Sequence, residues 1–154
     1  MSEKEQLQQA VAGQLRQFLV ANAMRQTRER YTILRAAYDT EGIFTIEDLQ
    51  KKMQEMRFHV STGTIYQAVQ LFVQANLLIR HPFSSSSATF ERIADDRPHS
   101  YQICSNCHHI TRIKSKEFAA NLLTYRPRRF CVTHRVAYVY GICPKCEKKL
   151  KMQK

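Results

Sequence analysis

Glycine is scarce in this chain, with four in 154 residues. None of the four lies in a phosphate-cradling glycine loop. There is also no nucleophile motif and no paired acid and base, so enzymatic chemistry is not expected. Acid is scarce as well. Thirteen Asp and Glu oppose 24 Lys and Arg, a formal net charge of +11. No apolar run approaches the roughly 20 residues that a membrane helix needs. The opening stretch, MSEKEQLQQAVAGQLRQFLV, is too polar for a secretory signal and lacks a clean apolar centre. These absences point to a cytoplasmic protein with no membrane partner. A hydrophobic content of 44% supplies a core, and the length allows one domain or two small ones.

Five cysteines are present. In an intracellular chain they point to metal or free thiols rather than a disulfide framework. Four form two C-x-x-C pairs, Cys104/Cys107 and Cys143/Cys146. Each two-residue spacer lets both sulfurs turn to one side, and four thiolates suit one tetrahedral, structural zinc ion. Redox pairs and an iron–sulfur cluster are the rival readings, although a redox site needs only one pair, in a βαβ setting. Cys131 is left over and reads as a buried strand residue.

Charge is uneven along the chain. Residues 1–93 hold 11 Lys and Arg against 9 Asp and Glu, and residues 94–154 hold 13 against 4. Such a balance suits nucleic acid or another anionic partner. Four zinc-bound thiolates would offset about two of the C-terminal positive charges.

Hydrophobic spacing predicts a helix over residues 3–21, with Leu7, Val11, Leu15 and Phe18 on one face. A second follows an N-cap at Thr27 and carries Tyr31, Leu34 and Tyr38, widened by Ile33 and Ala37. FTIEDLQKKMQEM reads as a third, opened by a Thr45/Asp48 capping box and striped with Ile46, Leu49, Met53 and Met56. VSTGTIYQAVQLFVQANLL reads as a fourth. Ser61 caps it, and Ile65, Val69 and Phe72, helped by Ala68 and Val73, point inward. LLIRHPF and ATFERI then flank four serines as a hairpin. ADDRP, closing at Pro98, reads as a hinge. Strand-like segments lead into both cysteine pairs, with a short helix (SKEFAANLL) and a basic turn (YRPRRF) between them. The tail EKKLKMQK reads as frayed.

Helices followed by a hairpin give the order of a winged helix-turn-helix, whose last helix enters the major groove. The exposed start of that helix would carry Ser61, Thr62, Thr64, Tyr66 and Gln67, groups that bond phosphates or base edges. Gly63 would let a backbone approach closely. Arg16, Arg25, Arg28, Arg30 and Arg35 are opposed only by Glu29. They form either a phosphate-holding patch or a solvated helix face.

The segments MRQTRERYTIL, FTIEDLQKKM, VSTGTIYQAV and YQICSNC, in this order, resemble the ferric-uptake-regulator (Fur) superfamily. The resemblance implies an α+β chain. Residues 1–93 would be a winged-helix DNA-binding domain, 94–98 a hinge, and 99–154 a small α/β dimerisation domain held by the four-cysteine zinc site. It also implies a homodimer that binds double-stranded DNA at an inverted-repeat operator, with Arg25 and Arg28 among the contacts. Where the family carries arginine after the recognition-helix tyrosine, this chain has Gln67.

The family's exchangeable sensor, which takes iron, manganese or zinc, is matched only in part. Glu91 and His99 correspond to two of its ligands. Tyr101, Ile43 and Ser100 stand where others are expected, and Glu117 and His134 fall near the ligands of another family site. The basic C-terminal half would suit an anionic effector such as haem. Alternatively, His108 and His109 are turn residues after the knuckle and His134 a strand residue. The contrasting function is a zinc-stabilised DNA- or protein-interaction module that has lost metal-dependent regulation.

Overall fold

The computed structural model describes residues 1–83, 87–93 and 98–152. Three of the four serines (84–86), most of the expected hinge (94–97) and residues 153–154 lie outside the described residues. The chain divides into two compact units, Met1–Ile93 and Ala94–Lys154. No described helix is long and apolar enough to cross a membrane.

The first unit contains α1 (Glu3–Ala21), α2 (Arg28–Tyr38), β1 (Phe44–Thr45), α3 (Ile46–Glu55), α4 (Thr62–Gln74), β2 (Leu78–His81) and β3 (Thr89–Arg92). All four helices start on side-chain caps. Ser2, Thr27, Thr45 and Ser61 each accept a bond from the amide three residues on, satisfying a donor that has no partner within the helix. Ser2/Glu5 and Thr45/Asp48 are reciprocal capping boxes. Asp48 takes the role usually given to Glu or Gln, its carboxylate accepting from the Thr45 amide at 2.9 Å.

One core joins these helices. Leu15, Leu19, Ile33, Leu49, Ile65, Val69, Phe72 and Leu77 are all fully buried. Leu19 carries the load on α1 that the spacing assigned to Phe18, which packs at the edge of the core. Met56 does not join the α3 stripe, because it is the C-cap of that helix and remains part exposed.

β2 and β3 pair antiparallel as the predicted hairpin, with His81 opposite Thr89. β1 adds a third strand on the far side of β3, in the order β1-β3-β2. Spacing could not show it, because two residues carry no period. The Tyr38 hydroxyl donates to the Leu77 carbonyl at 2.7 Å, and Arg92 Nη1 donates to the Tyr38 carbonyl at 2.5 Å. The end of α2 is thereby tied to the sheet.

The second unit contains β4 (His99–Cys104), β5 (Ile110–Arg112), α5 (Lys116–Thr124), β6 (Val136–Gly141) and α6 (Pro144–Met152). Its sheet runs β5-β4-β6, with β4 antiparallel to β5 and parallel to β6. Three expectations are corrected here. The tail through Met152 is helical, because Pro144 opens α6 at a position that needs no amide donor. Cys131 is exposed and lies outside any strand. His134 also precedes the strand, which begins only at Val136.

Phe72→Ala should destabilise the first unit by about 3–5 kcal/mol, because it opens a cavity in a filled core. Met56→Ala should cost less than about 0.5 kcal/mol. Urea unfolding followed by circular dichroism measures both, and equal costs would refute this assignment of the core.

Candidate nucleic-acid interface and metal centre

α4 is two-faced. Ile65, Ala68, Val69 and Phe72 are buried, whereas Ser61, Thr62, Tyr66 and Gln67 are exposed. Packing of the inner face therefore aims the outer one at solvent. Of the hydroxyls in its first turn, Ser61 Oγ is already committed to the helix. It accepts from the Thr64 amide at 3.1 Å and lies 2.8 Å from Thr64 Oγ1, which is half-buried. Thr62, Tyr66 and Gln67 carry the exposed reach. At Gly63, an added Cβ would meet only Ser61 Oγ, at 3.9 Å. The fold does not require glycine there, so the bare backbone is open to a close approach.

The start of α2 and the turn before it contribute cations. Arg25 and Arg28 are exposed. The Arg28 guanidinium lies over the Phe58 ring at 5.5 Å, a contact that orients it. Arg30 Nη1 donates to the Arg25 carbonyl, joining the start of α2 to the preceding turn. A groove of about 470 Å³ runs between the starts of α2 and α4, lined by Thr27, Arg30, His59, Thr64 and Gln67 among others. His59 and Phe58 escaped the sequence reading because they lie in the turn before α4, where no period operates.

In the second unit the four paired cysteines converge. Their sulfurs all lie within 4.8 Å of one another, and Cys107 Sγ is 3.7 Å from Cys143 Sγ. Tetrahedral zinc with Zn–S bonds near 2.3 Å sets its sulfurs about 3.8 Å apart, so the donor set fits the ion. Cys104 ends β4. A tight turn follows, in which His108 has φ 65° and donates its amide to the Cys104 carbonyl at 2.9 Å. Cys143 precedes α6, and Cys146 is buried in its first turn.

The amides of Cys107 and Cys143 donate to Cys104 Sγ at 3.5 and 3.3 Å. Led by the Cys107 amide, and against the effect of burial, they hold the Cys104 thiol down at about 5. At Cys107 the His109 amide favours the thiolate. Burial and the three neighbouring sulfurs outweigh it and push the thiol up to about 11. The pocket thus stabilises one thiolate and resists the next until a cation neutralises them.

Residues 21–138 match the sequence profile of the ferric uptake regulator family. The chain belongs to this family. Among similar proteins of the family, the ferric uptake regulation protein of Haemophilus influenzae is 30% identical over 125 residues, covering 76% of this chain and 81% of that protein. The manganese-containing structure of the ferric uptake regulator from Pseudomonas aeruginosa superposes with a TM-score of 0.63 at 23% identity, covering 82% and 95% of the two chains. A zinc uptake regulator complexed with zinc and DNA superposes at 0.51 with 16% identity, covering 98% and 99%. Membership in the ferric uptake regulator family supports a metal-responsive transcription regulator rather than an enzyme.

The residues expected to bind an effector lie on different elements of the two units. Glu91 is buried in β3 of the first unit, and its carboxylate lies 2.8 Å from His81 Nε2. His81 in turn stacks on Phe83, with ring centroids 4.9 Å apart. His99 is buried at the start of β4 in the second unit. Glu117 is exposed in the first turn of α5. His134 Nδ1 lies 3.0 Å from Thr133 Oγ1. Among the described residues, only the four cysteines form a group of three or more donor side chains close enough to share an ion. His81 was missed in the sequence. Its signal was slight, a polar residue at an inward position of the hairpin.

Zinc binding to the metal-free protein at pH 7 should release protons. Cys107, raised to about 11, must give one up, whereas Cys104, lowered to about 5, has already lost its own. Affinity should therefore fall as pH drops below about 11, where a proton competes for Cys107, and more steeply below about 5, where one competes for Cys104 as well. Titration calorimetry in two buffers of different ionisation enthalpy reads the release, and buffer-independent heats would refute it.

Proposed function

We propose that this chain is a homodimeric, sequence-specific DNA-binding regulator acting in the cytoplasm, in which α4 of each copy enters the major groove at one half of an inverted-repeat operator. The observation that carries this reading is the division of α4 into a buried apolar face and an exposed polar one ending in Thr62, Tyr66 and Gln67. A helix so placed after α3 and before a hairpin is the reading element of a winged helix. Gln67 has the donor and acceptor that pair bidentately with adenine. Arg25 and Arg28 supply phosphate contacts, and the backbone at Gly63 lets the helix come close. The DNA-bound zinc uptake regulator of the same fold supports this reading.

The second unit supports the dimer. α5 buries none of its residues, although it carries Phe118, Leu122 and Leu123. Val139, Tyr140 and Ile142, at the end of β6 and just beyond it, are exposed as well. An apolar surface of this kind is characteristic of a subunit contact, and a second copy carrying the same patch is self-complementary about a twofold axis. The zinc held by Cys104, Cys107, Cys143 and Cys146 serves the structure of this unit.

Gln67→Ala should weaken operator binding by about 1–3 kcal/mol and relax preference at one base pair. Gly63→Ala should leave the fold intact, or strengthen the helix by about 0.5–1 kcal/mol, while lowering DNA affinity. Gel-shift titration beside thermal unfolding separates these effects, and undiminished binding by both variants would exclude α4 as the reader. Tyr140→Glu should halve the sedimenting mass and abolish tight binding to the inverted repeat. A dimer of normal affinity in that variant would displace the interface from this face.

A further inference from the structure

The segment from Phe118 to Cys146 contains no Asp or Glu, yet it holds Arg126, Arg128, Arg129, Arg135 and Lys145. Three of these arginines fall within four residues, in the connection between α5 and β6. All three are exposed, and none has an ion-pair partner among the described residues.

The loop is shaped by local geometry. Pro127 fixes one backbone angle, and Arg129 takes a left-handed conformation with φ 54°, uncommon for a residue with a side chain. Arg135 Nη2 donates to the Tyr125 carbonyl at 3.1 Å and closes the base of the loop. Three like charges thus fall within four residues of one exposed loop, where they repel one another unless an anion lies against them.

We propose that this arginine loop is a sequence-independent contact for the phosphates of duplex DNA, separate from α4 and carried by the second unit. Guanidinium groups match phosphate oxygens bidentately, whereas lysine offers only a point charge. The surroundings favour a polyanion over the mixed charges of a protein surface. Across residues 98–152 there are 11 Lys and Arg but only Glu117 and Glu147, an excess that persists after about −2 for zinc-bound thiolates. A broad field of one sign suits a partner of uniform opposite charge and the counterion release that accompanies it. Tyr125 and Phe130, which flank the loop, are exposed by 65% and 71%. The loop itself offers its guanidinium groups. This contact goes beyond the reading given to α4 and does not require it.

The test compares the full-length, zinc-loaded protein with R126A/R128A/R129A and R126K/R128K/R129K. Each is titrated by fluorescence anisotropy with a random-sequence duplex, between about 50 and 200 mM salt. The alanine variant should bind the random duplex about tenfold more weakly, and its slope of log affinity against log salt should flatten by about 3 per chain. The lysine variant should keep the slope and lose part of the affinity. Gln67→Ala should alter the preference for an inverted repeat over random sequence and leave the slope unchanged, so the α4 reading and the loop can fail independently. An unchanged slope in an alanine variant of normal zinc content and mass would overturn the proposal. So would dissociation of the dimer without a change in slope, which would place the arginines in the contact between copies. A loss seen only with a single-stranded oligonucleotide or with polyglutamate would equally overturn it, assigning the loop to an unpaired strand or an acidic protein.

Discussion

Four sulfurs within 4.8 Å of one another cannot all become anions without a cation among them. The second unit is arranged around that constraint. Its strands are short, α5 buries nothing, and much of its apolar surface faces outward. A small core of this kind needs a metal or a partner to hold it. The clasp joins the end of β4 to the start of α6, so the sheet and the last helix depend on one coordination site. The opposed shifts of Cys104 and Cys107 express the same constraint in proton affinity. Backbone amides stabilise the first negative charge, and burial with the neighbouring sulfurs opposes the second.

The first unit has a different economy. It is closed by ordinary hydrocarbon packing, with side-chain caps at the start of every helix. The surface proposed to read DNA is what that packing leaves outside. Once Ile65, Val69 and Phe72 are committed inward, the positions left outside on α4 follow from the 3.6-residue turn. The cap also narrows the choice. Ser61 and Thr64 are engaged with each other and, through Ser61, with the backbone, which leaves Thr62, Tyr66 and Gln67 as the exposed groups near the start of α4 that the cap does not engage. Two chemically distinct units thus share one chain, one dependent on a metal site and the other on its core.

Much of this was legible in the sequence because the relevant signals are local. N-caps at Thr27, Thr45 and Ser61, the inward faces of α3 and α4, and the cysteine spacings all act over a few residues. What escaped was long-range or aperiodic. β1 has two residues and exists only because β3 offers an edge. His81 meets Glu91 across a hairpin, a pairing fixed by register rather than by motif. The end of the chain looked too charged to order, yet Pro144 and the buried Cys146 anchor α6 from its first turn. Cys131 looked like a strand residue because apolar and β-branched neighbours surround it, but the strand starts five residues later.

The parallel pairing of β4 and β6 has a further consequence. Two strands that run in the same direction end at the same rim of the sheet, so Cys104 and Gly141 arrive side by side and both knuckles open on one spot. An antiparallel return over six residues would have left the two pairs about 20 Å apart. The sheet therefore works as a ruler with its zero at the start of each strand. The connection that carries α5 and the arginine loop can lengthen or shorten without disturbing the mark. Adding one pleat to either strand alone would carry one pair of sulfurs about 6–7 Å past the other, beyond the reach of a single ion. Length is thus constrained in the strands and free in the connection between them, where the chain can vary its surface without moving its metal.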